Sequence, residues 1–389
     1  MDDASAILSP AQLVLPEPAP ARDPVAAAAD IGPRYLEAYD RKTLLYDCLH
    51  QSADGTITLI GPPLLNLRRL IKGVSVDGRA VEFSVQPRNK LDQIRIAMPE
   101  GTQAQEICLN LGAFGRHSLP VPARATAFED RRVLLTLFRY EPVAWVLDWA
   151  RFHVALHGVD AILLYANHVP PARLAEIARG LSGIAGLETF AIVRWDFPYG
   201  PVRDDAFAPG VPITGTRRWK SCFCQTGMFE HARLRFLARA QAVLNMDIDE
   251  LAFHDHGASV FDSLGPDAPP VLMLEERRVG PAADQPVGDV AARQHGQFRH
   301  ILPPGPRGVQ HNWAIAPQRL AELAPQAQWM THEIRGAQAA SQHQSQAWYG
   351  HFTPINTGWN DTGRAHLAAA QTSAPDPMLQ AAFRKMGWA

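Results

Sequence analysis

The stretch Leu244-Asn245-Met246-Asp247-Ile248-Asp249-Glu250 closes an apolar run, Ala242 to Leu244, with two carboxylates two residues apart. In an extended strand residues i and i+2 point to the same side, so Asp247 and Asp249 are expected to reach one hard cation while Met246 and Ile248 face a core. Such a pair suits Mg²⁺ or Mn²⁺ held together with substrate phosphates. That points to a divalent ion carrying a nucleotide diphosphate. An isolated Asp-x-Asp also occurs in solvated turns; this one is set apart by its position at the end of a series of alternating strand and helix signals.

Upstream, Val133 to Phe138 is a short continuous apolar run, as in a strand buried on both faces. From Glu141 to His157 the residues Trp145, Trp149, Phe152 and Leu156 recur at helical spacing, and Gly158 stands where a helix C-terminus needs glycine. Ala161 to Tyr165 reads as a second strand, Pro171 to Gly180 as a second helix bounded by its proline and glycine, and Phe190 to Val193 as a third strand. A Pro- and Gly-rich loop from about Asp196 to Gly215 and a helix over Lys220 to Ala238 then lead into the carboxylate pair. This order predicts an α/β fold with a mainly parallel sheet flanked by helices. Ligands of such sheets bind beyond the carboxyl ends of the strands, which is where Asp247 and Asp249 fall.

Leu137-Phe138-Arg139-Tyr140-Glu141, Trp149, His153, Leu156-His157-Gly158-Val159-Asp160 and Leu164-Tyr165-Ala166-Asn167, followed by Gln225 and Asp247-Ile248-Asp249-Glu250-Leu251, resemble glycosyltransferases related to families 2 and 92. Later segments continue the resemblance: Phe298 to Pro303 stands where these enzymes carry a basic segment, His311 where an isolated histidine follows it, and His351-Phe352 where they carry His-Tyr. The resemblance covers about residues 131 to 360 and departs from the family at Tyr140, which replaces asparagine, and around Arg299. It implies a GT-A-like fold and a metal-dependent, inverting transfer of a sugar from a nucleotide-diphosphate sugar to a hydroxyl of a glycan or other acceptor, in polysaccharide or glycan biosynthesis. Within it, Asp249 is the expected direct ligand of Mn²⁺ or Mg²⁺, with Asp247 on the ribose or on the metal through water, and Asn167 and Gln225 at donor-binding positions. His351, or failing it His311, is expected to complete the metal shell. An inverting reaction needs a carboxylate to take the acceptor proton; Glu333 and Asp361 both lie in Trp-rich segments suited to stacking on sugars, and the sequence does not choose between them.

Composition sets limits. The 389 residues carry a net charge of −2, which excludes a strongly basic nucleic-acid surface, and 47% apolar residues suffice for a large core. Four cysteines make no disulfide framework, and Cys222 and Cys224 diverge if they lie on a helix. No apolar run approaches the ~20 residues of a membrane span, so a cytoplasmic enzyme is expected, with peripheral membrane association left open. Residues 1–35, rich in Ala and Pro, are expected to form a mobile leader. Residues 36–122 carry short alternating runs (Thr56 to Ile60, Val74 to Val76, Val81 to Val85, Ile94 to Ile96, Ile107 to Leu111) separated by Asp54-Gly55 and Asp77-Gly78 turns, and are expected to form a sandwich-type β module. Leu119 to Arg124 reads as a linker and 128–389 as one GT-A-like domain.

Three rivals stand beside this reading. His254-Asp255-His256 with the two aspartates would suit a zinc hydrolase, or else decorates a solvent loop or makes secondary contacts to substrate. His153 and His157 have the i, i+4 spacing of ligands on a helix of otherwise core residues, and one of them is expected to be a satisfied core histidine. A nucleotidyltransferase would carry a Gly-rich, lysine-containing phosphate loop, which this chain lacks. The alternative from another class is a non-catalytic glycan-binding protein on a degenerate glycosyltransferase fold, against which the retention of both aspartates counts.

Overall fold

The computed structural model describes residues 6–50, 52, 54–99, 102–211, 219–282, 285, 288–305, 310–356 and 375–388. The chain divides into two compact units: one of Met1–Leu8, Ala127–Arg194 and Leu237–Ala389, the other of Ser9–Thr126 and Trp195–Phe236.

The first unit is built on a ten-stranded sheet. Its strands are β1 (Ala6–Leu8), β2 (Arg132–Phe138), β3 (Ala161–Ala166), β4 (Thr189–Arg194), β5 (Ala242–Asn245), β6 (Glu250–His254), β7 (Val271–Gly280), β8 (His300–Ile301), β9 (His311–Ile315) and β10 (Ser341–Phe352). They lie in the order β1-β4-β3-β2-β5-β9-β7-β10-β6, with β8 on β7. From β1 to β5 every pairing is parallel. Beyond β5 the pairings are antiparallel except for β7 with β10. The fold is thus α/β with a large sheet that is parallel through the strands expected from the sequence and mixed beyond them.

Strands β2 to β5 are buried on both faces, which is why they read as continuous apolar runs. Helix α1 (Val143–His157) follows Pro142 and ends where Gly158 takes the left-handed conformation, φ 63°, and donates back to the carbonyls of His153 and Val154. Its Trp145, Trp149 and Phe152 pack with Leu134, Ile162 and Leu164 of the sheet and with Leu174, Ile177 and Leu181 of α2 (Pro171–Ser182) in one core. Truncating either tryptophan to alanine should cost roughly 3–5 kcal/mol. Gly180, expected to end α2, lies inside it: a Cβ there would come within 2.5 Å of Leu147 on α1, so its glycine serves close helix approach.

In the second unit, strands Asp47–Cys48, Thr56–Gly61, Leu91–Ala97 and Ser84–Arg88 form one antiparallel sheet and Arg116–Pro120, Glu106–Asn110, Gly73–Val76 and Arg79–Val81 another. Ile57, Leu59, Ile94 and Ile96 of the first share a core with Val74, Val76, Ile107 and Leu109 of the second, the sandwich expected from the alternation. Two domain expectations are corrected. The Ala/Pro-rich segment is not a loose leader: Ala6–Leu8 is a strand of the large sheet, and Leu13, Leu15 and Ala19 are buried in the sandwich core. Nor is 128–389 one unit, because Trp195–Phe236 groups with the sandwich. The expected helix over Lys220 to Ala238 is an α-helix only over Cys224–Ala232, followed by a π-helical turn, Arg233–Leu237. Leu119 and Pro120 of the expected linker belong to the last sandwich strand. The four cysteines are all free thiols.

Candidate functional site

β5 lies in mid-sheet and β6 at its far edge, so the chain turns sharply where the two aspartates sit. Asp247 and Asp249 therefore occupy a turn, closed by the Glu250 amide donating to the Asp247 carbonyl at 3.0 Å, and not the extended strand expected. Met246 and Ile248 are nevertheless buried in the core. The turn is held from three sides. His295 Nε2 donates to the Ile248 carbonyl at 2.8 Å, and the Phe352 amide donates to the Asp249 carbonyl at 2.8 Å. Glu250, expected to point away, folds back to accept from the Asp247 amide at 2.8 Å and from Asn312 Nδ2. Asn312 is in turn joined to Asn245, which donates to the Thr331 carbonyl at 3.1 Å.

The pairing of β6 with β10 sets Glu250 opposite His351. His351 Nε2 stands 3.4 Å from Asp249 Oδ2, and its Nδ1 lies 2.7 Å from Glu276 Oε1 on β7. Thr136 Oγ1 is 3.5 Å from Asp247 Oδ1, and Asn356 Nδ2 is 3.4 Å from Asp249 Oδ2. The imidazole is 31% exposed and Glu276 only 8%, so the ring is anchored at Nδ1 by a buried carboxylate.

Burial, and then the neighbouring Asp249 and Glu141 charges, raise the Asp247 carboxyl above its usual range. Burial with the Asp247 and Asp249 charges lifts Glu250 well above its own. Burial works against a charged His351, but the hydrogen bonds to Asp249 and Glu276 outweigh it and hold the ring well above an ordinary imidazole. Negative charge is thus crowded here, with His351 as the nearby counter-charge. A divalent cation would invert this balance, favouring ionised carboxylates and a neutral imidazole. The donors fit such an ion: Asp247 and Asp249 supply oxygen, His351 Nε2 supplies nitrogen, and Glu276 accepts from the other ring nitrogen as orienting carboxylates do at metal-bound histidines. The set suits Mn²⁺ better than Mg²⁺, which prefers oxygen alone.

Other expected site residues lie elsewhere. His311 is not in this shell: on β9 side chains alternate, and Asn312 faces Glu250 while His311 faces Glu275 and His343 on the opposite face. Glu333 is exposed in the tight hairpin of Gln328–Trp329 and Ile334–Arg335, and no hydrogen bond or ion pair joins it to the carboxylates among the described residues. Asp361 lies outside the described residues. Asn167 is buried just past β3, its amide donating to the Phe138 carbonyl at 2.9 Å. Gln225 belongs to the second unit, where Tyr199 donates to its side chain at 3.2 Å.

Trp329 and Trp348, in the segments expected to stack on sugars, are core residues instead, while Trp359 lies outside the described residues. Trp329 packs edge-on against Trp313, and Trp348 stacks on Phe253 at 4.5 Å with its Nε1 bonded to Asp255. His153 and His157 are both core histidines: each has one ring nitrogen on a carbonyl, of Trp149 and Ala252, and the other accepting an amide, of Ala252 and Val260. His254 and His256 sit at the end of β6 away from Glu250, which removes the hydrolase constellation. Sequence reasoning missed Glu276, Asn312 and His295. Only the polar interruption of the apolar run of β7 at Glu275-Glu276 hinted at the first.

No protein-family model and no curated protein matches the chain. Among solved structures, the apo form of the bifunctional glycosyltransferase WbbM is similar at a TM-score of 0.27 and 10% identity, over 54% of this chain and 36% of that one. The chain thus spans little more than a third of that protein.

Proposed function

We propose that the chain is a metal-dependent glycosyltransferase that moves a sugar from a nucleotide-diphosphate sugar to an acceptor hydroxyl. The observation that carries this reading is the juxtaposition of Asp249, His351 and Glu276 beside half-buried Asp247, at the carboxyl end of a central strand of an α/β sheet. Asp249 and His351 hold the ion, with Asp247 beside them, and Glu276 fixes the tautomer that leaves His351 Nε2 free toward it. When bound, a divalent cation supplies charge to the donor phosphates and to the leaving diphosphate. Glu250 acts from behind, holding the Asp247 amide while Asn312 holds Glu250, so that the turn keeps its shape whatever its charge. His295 does the same for Ile248. The donor is expected over the ends of β2, β3 and β5, where Asn167 and Asp247 lie. The acceptor base remains between Glu333 and Asp361.

The test is turnover of a panel of nucleotide-diphosphate sugars with Mn²⁺, with Mg²⁺ and with chelator. Metal-dependent cleavage or transfer of one donor, lost in Asp249→Asn, supports the reading. Turnover that ignores both chelator and the substitution rejects it, and binding of oligosaccharide with no donor turnover would favour the glycan-binding alternative.

A further inference from the structure

On the opposite face of the strands that carry Glu276, Asn312 and His351, Glu275, His311 and His343 bring one carboxylate oxygen and two imidazole nitrogens within 4.8 Å of one another. We propose that these three residues form a second metal site, distinct from the one at Asp249, that takes a transition cation of the Zn²⁺ class.

The placement follows from strand register. Glu275 on β7 and His311 on β9 are direct cross-strand partners, so their side chains leave the sheet together on one face. His343 on β10 stands opposite Met273, two residues before Glu275 and on the same side of β7. The register shifts between Met273 and Glu275, a local irregularity of the kind that re-aims side chains at functional positions. Three adjacent strands therefore each contribute one donor, and backbone pairing fixes the origin of all three.

The side chains meet the remaining requirements. The two imidazole rings are edge to face with centroids 5.1 Å apart. His311 is half-buried, while Glu275 and His343 are exposed and able to rotate. In a tetrahedral site with bonds of about 2.1 Å the donors stand about 3.4 Å apart, so closure from the present arrangement needs only rotation of the two exposed side chains. Two imidazoles and one carboxylate match borderline ions such as Zn²⁺ and Co²⁺ and are a poor set for Mg²⁺. Three protein ligands leave a fourth position for water or an external ligand, as in open rather than closed zinc sites.

The test uses the 389-residue chain stripped with chelator, carrying Asp249→Asn to disable the ion proposed at the turn. Zn²⁺ is titrated by calorimetry, and Co²⁺ by its visible absorption. The expected result is one bound Zn²⁺ per chain in Asp249→Asn, lost when His343→Ala or Glu275→Gln is added, with circular dichroism unchanged because both added positions are exposed. Retention of that Zn²⁺ in both double variants, or its absence in Asp249→Asn, overturns the proposal. Donor turnover plays no part in this readout, so failure here and failure of the transferase reading are told apart.

Discussion

Asp249 and His351 come together because two strands pair, yet what each does depends on single atoms. Asp249 supplies a carboxylate oxygen 3.4 Å from His351 Nε2 in a turn already crowded with negative charge. Asp249→Asn removes that oxygen's charge without touching the core. Donor turnover should fall by at least about a hundredfold, while the melting temperature of the metal-free protein stays nearly level, since the repulsion relieved at Asp247 and Glu250 offsets the lost attraction to His351. A large loss of stability would mean that Asp249 serves the fold. Glu276→Gln keeps an acceptor for His351 Nδ1 but loses its charge, so it should raise the Mn²⁺ concentration needed for half-maximal activity by roughly 10–100-fold at little cost in maximal rate. An unchanged Mn²⁺ requirement would remove Glu276 from the site. His351→Ala should weaken Mn²⁺-supported activity more than Mg²⁺-supported activity, because imidazole serves Mn²⁺ better; His311→Ala, on the other face, should leave that ratio as in the parent.

At the scale of elements, α1 carries a stability linkage through its buried histidines. Burial depresses the His157 pKa to about 4, from 6.5. The unfolded chain therefore takes up a proton on His157 that the folded chain refuses. The stability this contributes is complete above pH 6.5 and is lost as pH falls toward 4, by up to about 1.36 kcal/mol per pH unit. Asp247 and Glu250, whose pKa values burial and their mutual repulsion raise in the fold, act in the opposite sense, but they are shared by parent and variant. The parent's stability should thus fall more steeply between pH 6.5 and 4.5 than that of His157→Asn, as read from denaturant midpoints; parallel slopes would mean that His157 is already charged in the fold. Much at this scale was legible in the sequence. Parallel strands buried on both faces leave unbroken apolar runs, and Pro142 with Gly158 brackets α1. The pairing of His351 with Glu276 was not, because it joins residues 75 apart through a strand order that local pattern does not encode. The choice between His311 and Asn312 turned on parity along β9, where a one-residue shift exchanges the faces. Whether a tryptophan is core or ligand platform is likewise a tertiary fact, decided for Trp348 by Phe253 and Asp255.

Over the whole molecule, the N-terminal segment belongs to the folded structure of both units. It escaped notice because a three-residue strand and a few leucines among alanines and prolines carry almost no periodic signal. The amide of Leu15, which donates to the Lys42 carbonyl at 2.9 Å, should accordingly resist hydrogen exchange, and Leu15→Ala should cost roughly 2–5 kcal/mol. Exchange as fast as in a free peptide would restore the loose leader. Among the described residues no helix is long and apolar enough to cross a membrane. What remains central is whether an ion sits where Asp249 and His351 converge. Anomalous diffraction at the manganese edge, from crystals grown with Mn²⁺ and a nucleoside diphosphate, addresses this directly. The account predicts a peak bonded to an Asp249 carboxylate oxygen, to His351 Nε2 and to the diphosphate; a nucleotide bound with no manganese at these two side chains would contradict it.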